Sequence, residues 1–85
     1  MRDEQSYGVL LAFGDKLRRL RLHAGLSQEE LAARAQLDRT YVSSCERGRR
    51  NVSLLALVRL ASALSCSEAL LVDGLSKVGG QCDER

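Results

Sequence analysis

Between residues 39 and 47 the chain places Arg39, Thr40, Ser43, Ser44 and Arg47, side chains suited to gripping a polyanion and reading the edge of a heterocycle. On a helix of about 100° per residue all five fall within an arc of about 140°, while Asp38, Val42 and Cys45 lie opposite. Short Ser and Thr side chains allow close backbone approach, and an Arg in the first turn can donate a bidentate pair to the major-groove edge of guanine. Bond-making chemistry finds little support. His23, the only histidine, sits where a helix C-terminus favours positive charge. Cys45, Cys66 and Cys82 lack zinc spacing and histidine partners, so packing is their expected role. There is no phosphate-cradling Gly loop, no G-x-S-x-G and no paired catalytic carboxylates. Neither an enzyme, a metal, a cofactor nor a small-molecule ligand is expected.

The elements that must position this face are signalled locally. Phe13, Leu17, Leu20 and Ala24 recur at helical spacing, placing a first helix within residues 9–24 that ends at Gly25. In Leu26-Ser27-Gln28-Glu29-Glu30-Leu31, Ser27 is the cap, Glu30 its capping-box partner, and Leu26 staples to Leu31. Helix 2 is therefore expected over Gln28 to Ala35. The same grammar returns with Asp38 as cap and Leu37 stapling to Val42, giving helix 3 from Arg39 to about Arg47. A connection as short as Gln36-Leu37-Asp38 forces a steep crossing, the geometry of a helix-turn-helix. Ser53 then caps a fourth helix, with Val52 stapling to Leu57 and a stripe of Leu54, Leu57, Ala61 and Leu64. A short fifth helix follows Ser67. The expected division is an N-terminal extension over 1–8, one domain over 9–75, and a fraying tail over 76–85 that contains Gly79-Gly80.

Composition agrees. A chain of 85 residues, 45% apolar and 28% charged, is one small folded domain. With 4% aromatics, abundant Leu and Ala and no Pro, it favours an all-α fold, a five-helix bundle. The net charge of +2 is uneven: residues 16–50 hold nine bases against four acids, leaving the rest acidic. This hints at a polyanionic partner. The longest apolar runs, Val9 to Phe13 and Leu54 to Val58, are far short of the ~20 residues of a membrane helix. Acids at the start, where a secretory signal needs a basic head, and three unpaired-looking cysteines point to the cytoplasm.

From Leu20 to Leu64 the chain resembles the Cro/C1-type (XRE) family of helix-turn-helix regulators. The resemblance rests on R-x-x-x-G-L-S-Q-E-E-L-A as Arg21 to Ala32, Glu46-Arg47-Gly48, and the apolar repeat through Leu57, Leu60 and Leu64. Leu37 to Ser43, with Glu46-Arg47 and Arg50-Asn51, is most similar to the small controller proteins of restriction-modification systems. The resemblance implies a lambda-repressor-like DNA-binding domain, with Arg39, Thr40, Ser43 and Ser44 reading bases and Gln28 clamping a phosphate. Tyr41, at the flank of the reading face, and Arg47, Arg49, Arg50 and Asn51 are the further phosphate candidates. Arg21, on the shoulder of the first stripe, and Glu46, off the reading face, can both turn inward; the resemblance likewise implies a structural ion pair.

One recognition helix reads too few base pairs for genomic selectivity, whereas two related by a twofold axis read a palindrome. Apolar surplus at Leu70, Leu71 and Val72 of helix 5, and at Leu55 and Val58 of helix 4, supplies candidate interface residues. The expected function is thus a homodimeric transcriptional regulator on a palindromic operator in double-stranded DNA, most like a restriction-modification controller. A prophage repressor or antitoxin-type autoregulator is the alternative, and a helical protein-protein adaptor the reading from another class.

Overall fold

The computed structural model describes residues 4–80, in which helix α1 spans Glu4–His23. Helix formation therefore begins earlier than the apolar spacing indicates, inside the stretch expected to precede the domain. Gly25 ends the helix in the left-handed region (φ 75°), and Leu26 N–H donates back to the Arg21 carbonyl at 3.1 Å. Helix α2, Gln28–Ala35, opens with the expected box: Glu30 N–H donates to Ser27 Oγ at 3.0 Å, and Ser27 N–H to Glu30 Oε1 at 2.8 Å. These bonds hold the Glu30 carboxyl below its ordinary pKa, the backbone donor at Ser27 contributing most. Gln36 then takes up a left-handed conformation (φ 59°), and Leu37 N–H closes onto the Ala32 carbonyl at 2.9 Å.

Helix α3 is Arg39–Glu46, with Arg47 already outside it as the C-terminal cap. Asp38 has the extended backbone of an N-cap, yet its side chain makes no capping bond. The first turn is instead closed by the Tyr41 and Val42 N–H groups on the Asp38 carbonyl. Helix α4, Leu54–Ala63, is capped by Ser53 Oγ, which accepts from Ala56 N–H at 3.0 Å. Helix α5, Glu68–Val72, follows Ser67, whose side chain makes no capping bond, and a 3-10 turn covers Leu75–Gly80. That turn packs along α1: a methyl group on Gly8 would lie 3.2 Å from Val78. Residues 76–80 of the expected tail thus belong to a turn that lies against the first helix. No strand occurs among the described residues.

The core gathers Phe13 and Leu17 from α1, Leu31 and Ala35 from α2, Val42 and Cys45 from α3, Leu60 and Ala61 from α4, and Leu71 from α5. Three expectations change. Ala24 is exposed, because the stripe leaves the core where α1 ends. Leu54, expected in the α4 stripe, is 76% exposed, while Ala56 and Leu60 are buried in its place. Packed on α2 and α5, α4 turns Ala56, Leu60 and Ala61 inward. Leu71, expected at a subunit interface, is 0% exposed: α5 is short and rests on α1 and α4, so its one fully inward side chain completes the core.

Candidate nucleic-acid interface

The polar face of α3 is built as its wheel implies. Arg39, Thr40 and Arg47 are exposed, Ser43 and Ser44 half-buried, and Val42 and Cys45 buried behind them. Arg47 Nη1 donates to Ser43 Oγ at 2.9 Å, one helical turn back, so these two side chains present a joined surface. The side chains of Arg39 and Thr40 have no hydrogen bond or ion pair among the described residues. They are free to bond to something outside the chain.

The segment after α3 folds back on it. Tyr41 is half-buried, its Oη accepting from Ser53 N–H at 3.2 Å, and the Arg50 guanidinium lies 4.7 Å from its ring centroid. Arg49 N–H donates to the Ser44 carbonyl at 2.9 Å, leaving its side chain exposed, as is Asn51. Gly48 makes this path possible. It is buried with φ 71°, and a Cβ there would stand 2.7 Å from Leu11 of α1.

Behind the face, Arg21 and Glu46 form a bidentate ion pair. Arg21 Nε donates to Glu46 Oε2 at 2.6 Å and Nη2 to Oε1 at 3.0 Å, while Nη1 caps the Leu26 carbonyl at 2.9 Å. The two side chains are 9% and 3% exposed. The hydrogen bond to Glu46 raises the Arg21 pKa further, outweighing the desolvation that opposes it, so the guanidinium keeps its charge. Gln28 joins the pair: Nε2 donates to Glu46 Oε1 at 3.0 Å. Sequence reading treated Gln28 and Glu46 separately; they lie 18 residues apart with no shared local motif to connect them. Gly14 was missed for the same reason. A Cβ on it would run into the carbonyls of Cys45 and Glu46, so α1 can lie against the end of α3 only because the residue is glycine.

Of the apolar interface candidates, Leu55, Val58, Leu70 and Val72 are exposed, and Leu71 is not among them. Leu54, beside Leu55 in the sequence, is exposed as well. Burial pushes the Cys45 thiol up to about 11 and raises that of the half-buried Cys66, so both are protonated thiols at neutral pH. Cys82 lies outside the described residues. Among the described residues no three or more His, Cys, Asp or Glu side chains are grouped to hold a metal. No single helix there is long and apolar enough to cross a membrane.

The family model for the helix-turn-helix domain matches residues 12–73. Control protein C.BamHI of Bacillus amyloliquefaciens is 40% identical over 78 residues, which is 91% of this chain and 94% of that protein. Control protein C.MunI of a Mycoplasma species is 43% identical over 70 residues, 81% of this chain and 95% of its own. Among solved structures, the restriction-modification controller protein C.AhdI from Aeromonas hydrophila superimposes with a TM-score of 0.72 at 52% identity, covering 73% of this chain and 94% of that one.

Proposed function

The chain belongs to the helix-turn-helix domain family and is a DNA-binding transcriptional regulator, not an enzyme; on that premise we propose that it controls a restriction-modification system as a homodimer on a palindromic operator. The observation that carries the proposal is the exposed start of α3, where Arg39 and Thr40 stand unbonded on a helix whose far end is clamped into the core. Likeness to control proteins over nearly the full chain supports the finer assignment.

In this reading α3 lies in the major groove, with Arg39, Thr40, Ser43 and Ser44 toward base edges. Gln28, Tyr41, Arg47, Arg49, Arg50 and Asn51 surround that face and supply phosphate contacts, which set register and orientation. Leu55 and Val58 of α4 with Leu70 and Val72 of α5 form an exposed apolar surface for the second subunit.

Footprinting on the DNA upstream of the chain's own gene tests the reading. Two protected half-sites with centres about 34 Å apart are expected, one helical turn, with affinity that falls steeply as salt rises. Leu70→Glu, at a side chain 50% exposed, should give a monomer in sedimentation and abolish tight binding while every reading residue stays in place. A Leu70→Glu protein that remains dimeric at full affinity moves the interface to Leu55 and Val58. Binding indifferent to salt and sequence removes the operator reading altogether.

A further inference from the structure

Glu46 has two carboxylate oxygens and three side-chain donors around them: Arg21 Nε on Oε2, and Arg21 Nη2 and Gln28 Nε2 sharing Oε1. The first two account for the ion pair. The third has no part in charge compensation, and it comes from the half-buried opening residue of α2 to the last residue of α3. We infer that Glu46 is a positioning residue for DNA binding, which holds the Gln28 carboxamide so that its second N–H is presented to a backbone phosphate. The inference rests on the DNA-binding reading and deepens it.

A carboxylate can only accept, so Gln28 must turn its nitrogen, and not its oxygen, toward Glu46. That choice orients a planar group with two N–H bonds, one spent on Glu46 and one left over. Without Glu46 a glutamine on a helix start is a flexible side chain, and ordering it on binding opposes association. Arg21 has a second effect here. A bare Glu46 carboxylate beside Gln28 would repel a phosphate, and the bidentate guanidinium cancels that charge at hydrogen-bond distance. The Gln28 amide thus lies at the positive end of α2 beside an ion pair with no net charge.

A cycle of variants separates positioning from stability: Gln28→Ala, the double Arg21→Met/Glu46→Leu, and the triple that combines them. The double replaces the ion pair by apolar side chains, a change that buried pairs often tolerate in stability. The probe is a duplex of arbitrary sequence, because a phosphate contact is indifferent to sequence. Gln28→Ala should weaken binding roughly tenfold and leave the salt slope nearly unchanged, because an uncharged amide neutralises no phosphate and releases no counterion. The double should melt near the parent yet lose as much affinity, and Gln28→Ala added to it should cost nothing more. Side-chain NH2 relaxation of Gln28, read without DNA, should show an ordered carboxamide in the parent and a mobile one in the double. The parent measurement needs no substitution, so it tests the orientation of Gln28 even where the double does not fold.

A double variant with parental affinity, or a Gln28→Ala loss unchanged in the double, overturns the inference. So does a Gln28 amide that stays mobile in the parent. If Gln28→Ala binds as the parent does while its amide is ordered by Glu46, the phosphate role assigned to Gln28 is what fails, and with it the positioning role of Glu46.

Discussion

At its C-terminal end α3 is gripped from three sides. Arg21 and Gln28 bond to Glu46, Gly14 lets α1 press against the last carbonyls, and Gly48 turns the chain in under Leu11. At its N-terminal end Asp38 makes no side-chain cap, and Arg39 and Thr40 are exposed and unbonded. The difference shows how a short helix can be rigid and receptive at once. Its root is fastened by other helices, so its tip needs no internal partners and keeps its donors for a ligand. A helix of eight residues would be marginal alone, and its stability comes from that packing.

The largest losses should come at the root. Arg21→Met alone should cost about 3–5 kcal/mol, because Glu46 is left as a buried, uncompensated charge, and Glu46→Leu alone should cost a similar amount. The double should recover most of the loss in thermal melts. Additive losses would mean that the two residues do not act as a pair.

Gly14→Ala attacks the same end through shape. The added methyl meets backbone carbonyls that cannot rotate away, so α1 and α3 must separate. A net loss of about 1–3 kcal/mol is expected in denaturant titration, despite the gain in helix propensity that alanine brings. An alanine variant as stable as the parent would show that α1 does not wedge the root.

At the tip the effects should fall on binding and not on stability. Arg39→Ala should leave the melting curve within about 0.5 kcal/mol of the parent, since the side chain has no partner in the fold. Discrimination between operator and scrambled DNA should drop by about 1–3 kcal/mol in competition assays. Equal loss on both duplexes would make Arg39 a phosphate contact.

The smallest effects come from the caps. Ser27→Ala should cost about 1 kcal/mol, and Asp38→Ala less than half of that, because Ser27 has its side-chain acceptor in use and Asp38 does not. Acid should sharpen this contrast. Glu30 has a lowered pKa in the folded state, so its stabilisation is fully present above its ordinary value of 4.5 and is lost as pH falls through the lower folded value. In Glu30→Gln that part of the acid loss should be missing from melts taken between pH 5 and pH 3. An unchanged acid profile would show that the capping box does not persist in solution.

The capping box, the start of each helix from α2 to α5 and the polar arc of α3 were legible in the sequence, because each depends on residues within one or two turns of each other. The inward turn of Arg21 and Glu46 was legible as well, since each lies between an apolar stripe and a polar face. Tertiary structure alone decided which way α4 and α5 face. It put Leu54 outside and Leu60 and Leu71 inside, a matter of helix crossings to which local periodicity is nearly blind. It also brought Gln28 to Glu46, and the bare Cα of Gly14 to the end of α3. A hydrogen bond across 18 residues, or a glycine that matters for what touches it, has no signature along the chain, because its cause is the position of another helix.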